Sequence, residues 1–485
     1  MAATYDAVVI GSGIGGLTCG AFLARAGMRV AVLEKHYRIG GYAHSFIRRG
    51  YRFESGIHSV PLNTDGTLMY LLRLLGIENR ITPVQLPCMF RTQTPQYSFG
   101  LPSQQQQIVS SLKEQFPDQT DALSRFFDAL HRFKHILVDP IRTYEQDFTG
   151  EDLSLVYEFH NKSYKSLIEE YLSDPDLQHI LFSVWPYAGA SPDYGAALYN
   201  TMMFTIHFFE GSHHLQGGFH TLADALASVI TDNGGVVHRK TEVCSISADA
   251  SRRATNVVTS TGDEFVGDVV ISNISPYALH TEILDKQHRS RRWMRRLSNL
   301  EPSVSCVAVY CGMHQSFTDM MQDNILFWFD SPNHERIFAR IRDNKRSVMD
   351  HLILLRTVDD PSRPALTLMH FVNKAYSDNW KETKKEIADT MIAKADQIIP
   401  GLSERIVLSE TGSPETFERY TGNTHGALYG FENTKSIYGE AKMPITTHLS
   451  NLYQVGHWGK PGGGIWNVMV NAYTASKAIL QSHGK

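Results

Sequence analysis

No run of 18 or more apolar residues occurs in the 485-residue sequence, so no segment reads as a membrane-spanning helix. The nearest approach, Tyr194 to Phe209, is broken by Asn200, Thr201, Thr205 and His207. A basic-then-apolar leader is lacking too, because a strand pattern starts by Tyr5. Cysteine is sparse: Cys19, Cys88, Cys244, Cys306 and Cys311 are scattered, with no C-x-x-C pair. That argues against a disulfide framework or a zinc site, and it suits a reducing, cytoplasmic compartment. The 22 histidines include no H-E-x-x-H or comparable ligand spacing, so no metal is expected. The net charge of −4 offers no electrostatic case for nucleic acid. Repeats, low-complexity tracts and charged tails are missing.

What is present is globular in composition and longer than one core usually serves, so two interleaved domains are expected. The most informative stretch is Tyr5 to Gly41. Ala7–Ile10 is a short apolar run suited to a buried parallel strand. Gly11, Ser12, Gly13, Gly15 and Gly16 follow, within G-x-G-x-x-G. Leu17 to Ala26 reads as a helix, Arg29 to Leu33 as a second strand, and Glu34 stands at its end. Strand, glycine turn, helix and an acid about twenty residues on together point to a dinucleotide site. Gly11 permits the tight turn, Gly13 lets a pyrophosphate reach the backbone, and Gly16 lets helix and strand pack closely. Glu34 can accept from a ribose 2′-hydroxyl.

Lys35, Arg38, Gly40 and Gly41 extend the pattern. Arg38-Ile39-Gly40-Gly41 resembles the R-x-G-G motif of amine-oxidase-type flavin enzymes, in which backbone and arginine lie along the FAD pyrophosphate. The resemblance implies FAD. It departs at Tyr42, where amine oxidases often have arginine. Phe53-Glu54-Ser55-Gly56 is similar to the turn that passes the isoalloxazine ring in these flavoproteins, which implies that His58 lies near the flavin. Its intrinsic pKa permits an acid–base role, and a structural, hydrogen-bonded histidine is the alternative.

Leu68 to Leu75 reads as a helix capped by Gly76. Ile81 to Phe99 reads as one or two strands interrupted by Pro87 and Pro95. From Ser103 to about Ser183 apolar residues recur every three or four positions, as amphipathic helices require. The aromatic and methionine-rich stretch from Val184 to Phe209 reads either as a buried helix or as a greasy tunnel or interfacial patch for a lipophilic substrate. Arg289, Arg291, Arg292, Arg295 and Arg296 crowd one helix, read as a solvated face with an anionic membrane surface as the alternative. Val304–Val309, Ile325–Phe329, Met349–Leu355 and Ala365–Val372 read as strands of a second, mostly antiparallel sheet.

From Gly217-Gly218 through Thr241-Glu242-Val243 to Gly267-Asp268-Val269-Val270-Ile271-Ser272-Asn273, the chain resembles the phytoene desaturase family, which includes carotenoid isomerases and retinol saturases. The resemblance implies that the Val243 backbone meets the FAD adenine. Thr416 to Gly430 is similar to a stretch that walls the substrate cavity in bacterial relatives, and Tyr429 is a candidate to present its phenol there, or is a hydrogen-bonded turn tyrosine. The last motif, Gly456-His457-Trp458 through Gly464-Ile465-Trp466, opens a helix whose N-terminus suits the flavin pyrimidine. These contacts are implied for Gly456, Trp458, Gly464, Ile465 and Trp466, and His457 is a candidate beside the ring.

The expected fold is α/β: a Rossmann-type FAD-binding domain (1–80, 212–282, 440–485) interleaved with a mixed-sheet and helical substrate domain (81–211, 283–439), amine-oxidase-like overall. The helical insertion, about 103–211, is a candidate membrane- or lipid-facing region, with peripheral membrane contact. The resemblance implies an FAD-dependent oxidoreductase that exchanges hydride between flavin N5 and a carbon–carbon bond of a lipophilic polyene or isoprenoid-like substrate. His58, His457 and Tyr429 are the catalytic candidates. Alternatives are redox-neutral double-bond isomerisation with reduced FAD, amine oxidation, and a non-enzymatic prenyl-binding protein.

Overall fold

The computed structural model describes residues 3–143, 149–344, 349–357, 360–437 and 442–484. Strand β1, Ala3–Ile10, lies inside a mixed sheet. Its Ala7, Val8 and Val9 have no exposed surface, which explains why they read as an unbroken apolar run rather than an alternation. On one side β1 pairs in parallel with β2, Val30–Glu34, and β2 pairs with Val236–Arg239. On the other side it pairs in parallel with Glu264–Ser272. That strand carries two further partners: parallel Leu452–Gln454 and antiparallel Ala254–Thr259, which in turn pairs with Val243–Ala248. One sheet is thus assembled from early, middle and late segments of the chain. Helix α1, Ile14–Arg25, packs on it, and helix α2, Ile465–Ser482, packs along α1, with the N-termini of both at the same cavity. The boundary expected at 439–440 lies outside the described residues.

The second sheet runs in the order Ile406–Gly412, Ser305–Met313, Ala365–Val372, His351–Arg356, Ile325–Phe329, Cys88–Gln93, Ser98–Pro102. It is antiparallel except where Cys88–Gln93 meets Ile325–Phe329. The region expected to give one or two strands gives three, because Pro83–Gln85 separates from Cys88–Gln93 at Pro87 and pairs with His213–Leu215 instead.

The helical insertion packs largely on itself. Its last helix, Ala197–Glu210, is almost wholly buried. Phe127 stacks on Phe208 at 5.2 Å between centroids, and Phe204 stacks on Phe208 at 5.8 Å. Of the readings the sequence left open for this stretch, an interfacial patch is therefore ruled out: the helix is interior. In the basic helix Arg291–Leu297, Arg296 is tied down by donating to the Lys442 carbonyl, and nearby Arg289 donates to the carbonyls of Leu284 and Glu282. Among the described residues no helix is long and apolar enough to cross a membrane.

Candidate active site

The turn from β1 into α1 leaves no room for side chains at Gly15 and Gly16. A Cβ on Gly16 would fall 2.2 Å from the Gly11 carbonyl oxygen, and one on Gly15 would fall 2.9 Å from the Gly456 Cα. The first contact fixes the helix against its strand, and the second lets the late loop touch the early one. Glu34 closes the other side of the turn. It accepts from the Ser12 backbone N–H at 2.9 Å, from the Ser12 hydroxyl at 2.6 Å and from the His36 N–H at 2.7 Å. Arg38 donates to the Ser45 carbonyl at 3.0 Å, which lays its guanidinium along the rim.

These elements bound a cavity of ≈ 420 Å³. Glu34, Lys35 and Val243 line one end. Gly11, Gly13, Gly15, Arg38, Gly40 and Gly41 line the middle, and Gly456, His457, Gly464 and Ile465 the far end. The open N-termini of α1 and α2 both face it, presenting unpaired backbone N–H groups and the positive ends of two helix dipoles. A cradle that Cβ atoms would fill, with a carboxylate at one end and amide donors along its length, fits an extended dinucleotide such as FAD.

A second, smaller cavity of ≈ 80 Å³ adjoins the first. The two share Tyr42, Ile57, Leu428, Gly464 and Ile465 as a common wall. The rest of the smaller cavity is mostly apolar or aromatic: Pro186, Tyr187, Met203, Ile206, Phe371 and Trp466. The helix Ala197–Glu210 contributes Met203, Ile206 and His207, so the tunnel-wall reading of that stretch matches its placement.

His58 faces this smaller cavity, and both of its ring nitrogens are shielded and without a partner. Burial lowers its pKa to about 4, so the imidazole is neutral at pH 7. His207 beside it is lowered to about 3, by burial first and then by the neighbouring His58, and its Nδ1 meets the Ser212 hydroxyl at 2.9 Å. Tyr429 lines the same cavity, but its phenol donates to the Pro186 carbonyl, as the turn-tyrosine alternative has it. Burial raises that phenol well above its ordinary value, so it stays protonated. Tyr187 likewise spends its hydroxyl on the Met89 carbonyl at 2.8 Å.

His457 does not join His58 and Tyr429. It lines the larger cavity, where its Nε2 meets Asn423 Oδ1 at 2.9 Å. Burial, with Lys442 second, lowers its pKa to about 3. Trp458, expected against the cofactor, turns away from both cavities. Its indole donates to the same Asn423 oxygen at 2.9 Å and packs edge-on against Phe431, inside a small apolar cluster with Leu297 and Leu300. Trp466, also expected on the cofactor, lines the smaller cavity. Ser12 and Gly16 support the turn from behind rather than lining it.

Sequence reasoning missed Asn273 and part of the Thr416–Gly430 stretch. Asn273 follows a strand end and fills the space between Gly13, Gly15 and Gly456. Thr421, Gly422 and Asn423 line the larger cavity, and of this stretch only Leu428 and Tyr429 reach the smaller one. The residue-type signal was visible in both; what was missing was which cavity each faces.

The family described as flavin containing amine oxidoreductase matches residues 14–421. An all-trans-retinol 13,14-reductase from Rattus norvegicus is 23% identical over 98% of this chain and 86% of its own length. A 4,4'-diapophytoene desaturase (4,4'-diapolycopene-forming) from Methylomonas sp is 25% identical over 100% and 96%. Prolycopene isomerase 1, chloroplastic, from an Oncidium hybrid cultivar is 26% identical over 99% and 84%. Among solved structures, an oxidoreductase from Methanosarcina mazei superposes with a TM-score of 0.65 at 17% identity, covering 97% of this chain and 99% of its own. That likeness speaks to fold alone.

Proposed function

The chain belongs to the flavin containing amine oxidoreductase family, and on that premise we propose an FAD-dependent oxidoreductase that acts on a carbon–carbon bond of a lipophilic polyene or isoprenoid-like substrate. The observation that carries this reading is the shared wall. A glycine-built dinucleotide cavity meets a smaller, mostly apolar cavity along Tyr42, Ile57, Leu428, Gly464 and Ile465. FAD, when bound, supplies hydride exchange at its N5. The chain's own residues do the rest. The α1 N-terminus would hold the pyrophosphate, Glu34 a ribose hydroxyl and the Val243 backbone the adenine. The α2 N-terminus would face the pyrimidine end, where its dipole favours negative charge. Met203, Ile206, Phe371 and Trp466 would exclude water and align the reacting bond. His58, whose neutral imidazole borders the smaller cavity, would pass on the accompanying proton.

The smaller cavity falls below the about 300–1,000 Å³ that encloses a whole drug-sized ligand. A long polyene would therefore place only its reacting segment there. Among the described residues lining it there is no carboxylate to meet an ammonium group, which disfavours amine oxidation. Redox-neutral isomerisation is the second reading, favoured by the likeness to prolycopene isomerase across nearly the whole chain.

Peripheral contact with a lipid surface belongs to the same proposal. Leu153 (56% exposed) and Tyr157 (72% exposed) stand one turn apart on the helix Gly150–His160, a surface a membrane would cover. Vesicle flotation of wild type and of Leu153→Glu/Tyr157→Glu tests it, with loss of flotation expected in the double variant.

The test of the function itself is extraction and mass spectrometry of lipophilic products from cells with and without the protein. A polyene differing by two hydrogens supports it, an isomer of unchanged mass supports the second reading, and an unchanged lipid profile counts against both.

A further inference from the structure

The reaction proposed above, on which this inference rests, moves one proton into or out of the smaller cavity. His58 stands in that cavity's wall with a space on each side. One is the smaller cavity just described. The other is a pocket of ≈ 20 Å³, room for about one water, lined in part by Asn324, Arg356, Thr357 and Thr367. Gly56, Ile57, His58 and Met369 line both spaces and form the partition. Asn324 and Thr367 are buried, whereas Arg356 and Thr357 are partly exposed, so the pocket leads from His58 outward.

The polar atoms around this pocket are poised for a ligand with both donor and acceptor capacity. His58 leaves both nitrogens without a protein partner, although leaving a buried polar atom unbonded is costly. Arg356 does the same with Nε, while its Nη2 donates to the Gln322 carbonyl at 2.8 Å. A single water between them would satisfy one imidazole nitrogen and the Arg356 Nε together.

We propose that this pocket is a one-water proton port and that His58 relays a proton between it and the substrate cavity. In the relay an N–H bond forms at one ring nitrogen as the N–H bond at the other breaks. The proton that enters on one side equals the proton that leaves on the other. No electrons are exchanged by His58, and the imidazole remains neutral, changing only its tautomer. Rotation of the ring restores the starting tautomer. Because burial disfavours the imidazolium, no charge is stored between the two transfers.

The experiment uses the FAD-loaded, substrate-free protein with ¹⁵N-labelled histidine. The His58 resonance is identified by its loss in His58→Asn, and the hydrogen–deuterium exchange of its ring N–H is followed. Thr367→Ile adds volume to the port, and Arg356→Met removes the donor opposite His58. Both are expected to slow the exchange about tenfold or more, since exchange then waits on rarer local openings. Exchange at the wild-type rate in either folded variant overturns the port. The measurement involves no turnover, so slowed exchange in a protein that converts no polyene would keep the port and remove the proposed reaction.

Discussion

Ser12 and Glu34 lie 22 positions apart and are joined twice, the Ser12 N–H and hydroxyl both donating to Glu34 Oε2. The acid expected to receive a ribose hydroxyl is thus held in place by the glycine turn itself. Ser12→Ala removes one hydrogen bond to a charged group, worth about 1.5–3 kcal/mol, so we expect FAD affinity to fall roughly tenfold or more. Titration of the apo-protein with FAD, read by flavin fluorescence, measures this. Unchanged affinity would mean that the orientation of Glu34 contributes nothing to binding.

Gly15→Ala places a methyl 2.9 Å from the Gly456 Cα, backbone that a side-chain shift cannot relieve. The early and late loops must part, at a cost of about 1–3 kcal/mol by comparison with other overpacked sites. We expect a lower Tm and loss of bound FAD. Gly150→Ala, where nothing lies within 4 Å, is the control and is expected to keep both.

Trp466→Phe separates the two cavities functionally. Trp466 lines only the smaller one. The variant is expected to retain full FAD content while its KM or product pattern changes. A fall in FAD content with unchanged product pattern would return Trp466 to the cofactor side. This residue also marks where sequence reading ran out.

The first glycine motif, the strand bearing Val243 and the helix caps were legible because each is a local pattern with a local cause. Gly76 ends its helix at φ 71° because the turn there requires a left-handed residue. The facing of His457, Trp458, Thr421 and Asn423 was not legible. These side chains sit in loops without periodicity, and their direction is set by partners far away in sequence. His457 and Trp458 are adjacent, yet both reach Asn423 while only the first lines the cofactor cavity. Nor could the sequence show that the Tyr429 hydroxyl is committed to Pro186, 243 positions earlier.

Buried histidines give the protein an acid limit. Burial lowers His44, His58, His179 and His213 to about 4, and His207, His280, His370 and His457 to about 3. Their ordinary value is 6.5, so below it the unfolded chain binds protons that the folded chain refuses. Stability is therefore full above pH 6.5 and is lost as pH falls through 6.5 toward 4 and 3. Urea midpoints at pH 7, 6 and 5 are expected to drop steeply, and His280→Phe to soften the drop. A flat profile would show that these groups are charged in the folded state.

The central claim is that the two cavities joined at Tyr42, Ile57, Leu428, Gly464 and Ile465 serve one flavin reaction on a polyene. Its most direct test is an anaerobic single turnover, with flavin absorbance followed as a polyene is added and the products then analysed by mass. The account predicts either bleaching of the oxidised flavin with a product two hydrogens lighter, or reoxidation of the reduced flavin with a product two hydrogens heavier. Conversion to an isomer by reduced flavin that persists unchanged would move the protein to the second reading. No change in either flavin form, with the polyene recovered intact, would contradict the account.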